Sequence, residues 1–560
     1  MKSKILLASK ELKIYKVWKI LFPFSFLLFP FCAGAQILSG EGQLHGSIEI
    51  DAQYYKPDSL IGAPAVPEKM LMNTYDELDY TNGKISAGVR YEAYDDALQG
   101  YSTLYNGSGF PYKYISYKQD NMEVTVGNFY EQFGSGMILR AYWQPQLGID
   151  NSFNGVRVKY NPTKGVYLKG LVGDQRYYWT EGAGLVRGID AEVNLNELDS
   201  SLANMKTKII LGGSFVSNYQ ASTSTTYNFP EDVGASAGRI SITNGGFSLY
   251  SEGAYIINDP NAINNDIFKT GDGVLVRAGY SQKGLSFLLS GERIDNMSFK
   301  SDRAATANDL NINYLPSLPR DETYQLAQIY PYATQPNGEQ GLDGEIKYKL
   351  PKESLFGGKY GTDLDVEYTV INSLDTINLN DQATNDKGYT TRLFNAGQTN
   401  YFQNLTLEIQ HKFSPDFRMI AQYDHEYYDM TVIQQEPGSP NITSNIGVLD
   451  GYYSLSSAHT LHMELQGLQT AQAQGNWAFA LAEYNFGPDW FIGALDEYNY
   501  GNPDPAQRIH YYTVTGGYMK NALHITIGYG KQRAGILCIG GVCREVPASD
   551  GFTLSITNSF

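Results

Sequence analysis

Cysteine is nearly absent. Three occur in 560 residues, Cys32, Cys538 and Cys543, which excludes a disulfide-framework fold and any multi-cysteine zinc or iron–sulfur site. Histidine is almost as rare, at seven residues. His459 and His462 are three apart in an alternating stretch, so they point to opposite faces and do not share a metal. Positive charge is short: 42 Lys and Arg stand against 59 Asp and Glu, which argues against a nucleic-acid surface. Beyond residue 31 no run is apolar enough for a spanning helix, which needs about 20 such residues. No G-x-S-x-G or phosphate-loop glycine pattern occurs. The one acid–histidine cluster, Tyr423-Asp424-His425-Glu426, reads as a solvated strand end rather than a catalytic group. Asn258-Asp259-Pro260 and Asn265-Asp266 lack the EF-hand pattern and read as solvated turns. The chain reads as non-enzymatic, with no cofactor.

What the chain has instead is tyrosine, glycine and alternation. It holds 44 Tyr and 57 Gly, and its mean hydropathy is −0.33. Tyrosine suits interfacial belts, because its ring is apolar and its hydroxyl wet. Ile85, Ala87, Val89, Tyr91 and Ala93 alternate with Ser86, Gly88, Arg90 and Glu92. Ile189, Ala191 and Val193 alternate with Asp190, Glu192 and Asn194. Leu364, Val366, Tyr368 and Val370 alternate with Asp365, Glu367 and Thr369. Period-two alternation with charge on the second face marks strands that face lipid on one side and a wet interior on the other.

Punctuation between these strands falls into two classes. Short turns occur at Asn82-Gly83, Gln119-Asp120-Asn121, Asn161 to Gly165, Asn244-Gly245-Gly246, Gln282-Lys283-Gly284, Ser414-Pro415-Asp416, Gly487-Pro488-Asp489 and Lys520-Asn521. Longer loops run from Lys56 to Met70, Ile256 to Gly273, Asp295 to Gln340 and Asn372 to Thr399. Short turns on one side and long loops on the other predict an all-β, antiparallel, up-and-down transmembrane barrel of about 24 strands.

Both ends of the sequence fit an outer-membrane address. Six lysines lie between Lys2 and Lys19, then the apolar run Ile20 to Phe31, then Ala33-Gly34-Ala35. This reads as a signal peptide over residues 1–35, with residues 36–560 forming the barrel. Pro23 and Pro30 interrupt the run and weaken a spanning helix. Phe31 is too bulky before Cys32 for a lipoprotein site. Loss of the leader removes six lysines and Glu11, taking the formal charge from −17 to −22. That acidity sits either on outward loops or in a cation-favouring lumen. At the other end Phe552, Leu554 and Ile556 alternate with small polar residues, and the chain stops on Phe560. Such a terminal aromatic strand resembles the signal read by barrel-insertion machinery. Both termini are then expected in the periplasm, with outer-membrane lipids, the barrel-insertion machinery and other outer-membrane proteins as the expected partners.

A barrel this wide needs something to fill it. The first alternating strand, Leu44, Gly46, Ile48, Ile50 and Ala52, follows the expected leader directly. No separate plug domain is therefore expected, which argues against TonB-dependent uptake. Two segments are candidates to fold inward. Glu131 to Asp150 is glycine-rich and aromatic, with Arg140, Tyr142, Trp143 and Asp150 as candidate constriction residues. Asp295 to Gln340 carries Tyr324 to Tyr330, too apolar to hang in water. An outward lid is the alternative for each. Cys538 and Cys543 bracket Ile-Gly-Gly-Val and read as a disulfide stapling a loop. The spacing matches no zinc knuckle.

Five stretches, Gly62 to Asn73, Gly127 to Gly136, Pro331 to Gly338, Gly357 to Asp363 and Cys538 to Pro547, together resemble a family of uncharacterised, porin-like outer-membrane barrels. The resemblance implies fold and location, and no functional residue. The functional expectation is a passive channel narrowed by its own loops. The alternative is a non-catalytic scaffold or subunit of a larger outer-membrane assembly.

Overall fold

The computed structural model describes residues 42–380 and 384–560. The expected leader, residues 1–35, lies outside them. Twenty-four strands form one continuous antiparallel sheet. The first, Gln43–Tyr55, pairs with the second, Met70–Asn82, and also with the last, Ser549–Ser559, so the sheet closes on itself. At the seam Ile50 lies opposite Ile556 and Ala52 opposite Leu554. Gly46 and Phe560 exchange two backbone hydrogen bonds of 3.0 Å. Closure removes the free edges that a bilayer cannot satisfy. Among the described residues no helix is long and apolar enough to cross a membrane.

Alternation decides which side chains meet lipid. On the strand Thr180–Asn194, Ile189 is 63% exposed while its neighbours Gly188 and Asp190 are buried. On Leu285–Asp295, Leu289 is 57% exposed while Ser290 and Glu292 are buried. Leu342, Val366, Leu407 and Leu465 share the outward face on neighbouring strands. Two aromatic girdles bound this apolar band. Tyr117, Tyr160, Phe247, Tyr280, Tyr348 and Trp490 lie beside the short turns, and Tyr54, Tyr219 and Tyr255 lie near the other rim. This is the outer surface of an outer-membrane-type barrel.

All the expected short turns fall on one rim, and both ends of the sheet lie there too. Two connections on that rim are longer than a turn, at residues 195–206 and 351–361. One expected loop is corrected. Residues 372–399 are mostly strand, because Thr362–Asn378 and Tyr389–Lys412 run on as a long hairpin with register shifts. Its Asn, Asp and Thr residues hid the alternation, since a hairpin extending past the membrane needs no apolar face.

Twenty-four strands, spaced about 4.8 Å and tilted about 40°, enclose a cylinder roughly 48 Å across. Connections from the long-loop rim fold into the upper part of this interior.

The outward face makes a direct prediction. Leu289→Arg places a charge near the centre of its strand on the lipid side and costs about 2–4 kcal/mol of folding stability in a bilayer. Ser290→Arg, on the opposite face, does not incur that lipid penalty. Urea titration of the two variants in vesicles checks the difference.

Candidate functional site

The long-loop half of the lumen holds three segments that pack on one another and on the inner wall. The first is residues 130–152. Its Phe133, Ile138 and Leu139 are fully buried, with Val216 and Leu275 of the wall and Phe299 and Ile312 of the second segment in the same cluster. The nearest side chain to Gly188, on the inner face of its strand, is Phe133. Glycine is needed there, because a methyl group would meet the ring at 2.9 Å.

Ion pairs tie this segment to the wall. Asp150 accepts from Arg176 Nη1 at 2.6 Å, from the Tyr130 hydroxyl at 3.0 Å and from Arg90 Nη2. Glu92 bridges the same two arginines, at 2.8 Å from Arg90 Nε and 2.6 Å from Arg176 Nη2. Burial pushes the Asp150 carboxyl up, but Arg176 and Arg90 outweigh it and hold the group below its ordinary range. Trp143 lies 4.1 Å from the Arg90 guanidinium and 5.6 Å from the Tyr75 ring. Arg140 and Tyr142 face the second segment instead. The Arg140 guanidinium sits 4.0 Å from the Tyr314 ring and 4.7 Å from Tyr142, and its amide donates to Ile312 O at 2.8 Å. The four candidate constriction residues therefore lie in packed contacts, two against the wall and two against the neighbouring loop.

The second segment, residues 296–337, joins two strands and folds inward along its length. Leu326 and Ala327, with Tyr330, pack against Phe402, Tyr428 and Trp477 of the wall. The run that looked too apolar for water is out of water. Arg320 anchors the segment to an acidic stretch of wall, with Glu367 at 3.5 Å and Asp365 at 3.8 Å. Residues 257–264 brace it from behind, which corrects the reading of Asn258-Asp259-Pro260 as a solvated turn, whereas Asn265 is exposed in a turn as expected. Asp259, Asn261 and Asn264 are buried. Asp259 accepts from the Lys300 amide at 3.2 Å, and Asn261 and Asn264 donate to Ser298 O and Asn296 Oδ1. Their side chains replace solvent for a backbone that would otherwise be buried unpaired. Burial pushes the Asp259 carboxyl up to about 6.

The third segment is the disulfide hairpin. Gly535–Ile539 pairs with Val542–Val546, and Cys538 and Cys543 are bonded across it. Gly540 and Gly541 have φ of 58° and 80°, the left-handed pair that a two-residue hairpin turn requires. The turn touches the second segment: Gly540 O accepts from the Tyr314 hydroxyl at 2.6 Å, and Gly541 O from the Thr334 amide at 3.1 Å. Asn308 donates to Cys543 O at 2.8 Å. The staple was legible in the sequence, but its seat in the lumen was not. The pattern offers no signal for which way a short hairpin tips.

Below the segments, towards the short-turn rim, the inner wall is densely charged, with Lys347 ion-paired among the acids of one arc and Glu123, Asp190 and Glu192 ion-paired among the bases of another. Asp343, Glu345, Asp365, Glu367, Glu408 and Asp424 occupy inward positions on successive strands, as register and burial fix them. Lys118, Arg157, Lys159, Lys169 and Arg239 hold inward positions on another arc. Among the barrel strands, acids on the wall therefore line the interior as well as the loops. An open hollow of about 490 Å³ lies on this second arc, lined by Asp79 and Glu123 as well as Lys118 and Arg157. In the Asp424-His425-Glu426 run both acids face inward, whereas His425 takes the alternate, outward position and contacts Asn445 at 2.9 Å.

The sequence matches, over residues 14–560, the model of a family of unknown function, DUF6029. The chain belongs to that family. No curated protein matches it. Among solved structures it is similar to the P pilus usher translocation pore, at 10% identity and TM-score 0.41, covering 92% of this chain and 99% of that one. It is also similar to a ferric enterobactin receptor mutant of Pseudomonas aeruginosa, at 11% identity and TM-score 0.41, covering 92% and 80%. OccAB3 of Acinetobacter baumannii matches at 10% identity and TM-score 0.33, covering 93% and 99%.

The Asp150 cluster generates a prediction. Asp150→Asn leaves two buried guanidiniums short of a partner, at a cost of about 3–5 kcal/mol. The first segment then opens more often, and trypsin cleaves after Arg140 faster than in the parent protein. Unchanged cleavage would remove the ion pairs as the tether.

Proposed function

We propose that the protein is a passive outer-membrane channel for small solutes, narrowed by its own loops and favouring cations. The observation that carries this reading is the acid-rich arc of the inner wall, where the six carboxylates from Asp343 to Asp424 outnumber the paired cations Lys347 and Arg320, just below the packed segments. A low-dielectric lumen with fixed carboxylates lowers the energy of entering cations and raises that of anions. We extend the proposal to topology. The short-turn rim and both termini face the periplasm, and Phe552, Leu554, Ile556 and Phe560 form the strand read during insertion. A catalytic role has no part in this reading.

The buried cores favour a second reading. Phe133, Ile138, Leu139 and Leu326 have no solvent exposure, and a lumen packed this well also suits a scaffold or subunit within a larger outer-membrane assembly. Gentle crosslinking in native membranes separates the two, since a scaffold carries a stoichiometric outer-membrane partner.

The channel reading is tested in planar bilayers under a KCl gradient. The parent protein conducts with a reversal potential displaced towards potassium. Combined Asp343→Asn, Glu345→Gln and Glu408→Gln substitutions move that potential towards zero. A folded barrel that conducts nothing at any voltage contradicts the proposal, as does an unchanged reversal potential.

A further inference from the structure

The inner wall also carries a cluster of two acids and a histidine. Asp450 lies on the strand Ile442–Ser456, and His462 and Glu464 lie on His459–Thr470. Asp450 pairs directly with Glu464, and Tyr452 with His462. All four therefore project from the same, inward face. One donor atom from each of Asp450, His462 and Glu464 falls within 4.8 Å of the others. His462 Nε2 is 2.7 Å from Asp450 Oδ1 and 4.0 Å from Glu464 Oε2.

We propose that these three side chains form a binding site for a divalent transition-metal ion, with its remaining positions open to water in the lumen. One imidazole nitrogen and two carboxylate oxygens are a donor set that suits Zn²⁺ or Cu²⁺. A proton on Nε2 satisfies only the Asp450 contact, because it points along a single bond. Glu464 Oε2, at 4.0 Å, is beyond hydrogen-bond range of that nitrogen but within reach of an ion shared by all three. Glu483, across from His462 on the next strand, adds a further negative charge. The nearby Arg418 guanidinium lies over the Tyr452 ring at 4.4 Å.

Each ligand is already oriented by a second contact, as metal ligands commonly are. The Tyr452 ring stacks on the His462 ring at 4.3 Å and 3°. The Tyr324 hydroxyl donates to Asp450 Oδ2 at 3.3 Å. Gln466 donates to Glu464 Oε1 and accepts from the Leu326 amide at 2.8 Å. Two of the three orienting contacts thus come from, or lead to, the second lumen segment, which places the site directly beneath it.

On binding, the neutral imidazole passes its Nε2 proton to water and takes one up at Nδ1, so no net proton is released; the ion settles about 2.0–2.2 Å from each donor, and Nε2 and Oδ1 part to roughly 3.3 Å to admit it. Small rotations of the two carboxylates accomplish this without moving the strands. The site requires no flow through the barrel, so it stands or falls separately from the channel.

The test uses the full-length, untagged protein in detergent, stripped with chelator. Zn²⁺ alone is titrated calorimetrically, and Cu²⁺ alone is followed by electron paramagnetic resonance. The expected result is one ion per chain and a Cu²⁺ spectrum with a single imidazole nitrogen coupling. His462→Ala abolishes that coupling, and either His462→Ala or Glu464→Gln weakens Zn²⁺ binding by about 10-fold or more. His459→Ala, whose ring takes the outward alternation, leaves both unchanged. Equal Zn²⁺ affinity in the parent, His462→Ala and Glu464→Gln proteins overturns the assignment. So does a parent Cu²⁺ spectrum without nitrogen coupling, a readout that needs no variant to fold. Conductance without binding removes the metal site alone, and binding without conductance removes the channel alone.

Discussion

Every backbone amide that enters a bilayer must find its partner inside the protein. In this chain that requirement is met by pairing the strand Gln43–Tyr55 with both Met70–Asn82 and Ser549–Ser559, and most other features follow from the closure. A closed sheet of 24 strands has no edge, but it has a wide interior. Alternation then gives each strand one face for lipid and one for that interior. The outward face is simple: Leu, Ile and Val between two aromatic girdles. The inward face must meet either water or protein, and it is built for both.

Its upper half meets protein. Several inward positions there are small or apolar, such as Gly188, Val216 and Leu275, and they receive Phe133, Ile138 and Phe299 from the loops. Apolar burial alone would leave the loops free to slide, because it has no direction. The Asp150 cluster and Arg320 supply direction, fixing each segment to particular wall residues by ion pairs that cost more to break than to keep. The disulfide hairpin closes the arrangement by hydrogen bonds from its turn. Its lower half meets water, and there the wall is charged, with acids and bases paired across neighbouring strands.

The fold was legible because the bilayer enforces a strict pattern. Alternations such as Ile189 with Asp190 and Val366 with Glu367 read directly as outward and inward faces. The two-residue turns marked one rim. Residues 372–399 were misread because the hairpin outruns the membrane there, and the pattern is no longer enforced. The site was only half legible. Apolar content betrayed Tyr324 to Tyr330 as a segment that needs cover. Nothing local showed that Asp150 would meet Arg90 and Arg176, which come from strands 60 and 26 residues away. Asp259 looked like a solvated turn residue, since its burial depends on a loop that begins some 40 residues later. The Asp450, His462 and Glu464 cluster was invisible for a similar reason. It exists only through the register between two strands, whereas the sequence invited comparison of His462 with His459, its neighbour on the opposite face.

The central claim is that the barrel's own connections fill its upper lumen as a packed body. Hydrogen exchange by mass spectrometry on the intact protein in lipid nanodiscs tests this most directly. The account predicts that amides of Phe133 to Leu139 and of Leu326 to Tyr330 exchange slowly, approaching the rates of wall strands, while the outer loop at residues 221–229 exchanges at once. Fast exchange throughout both inner segments, equal to that outer loop, would contradict it.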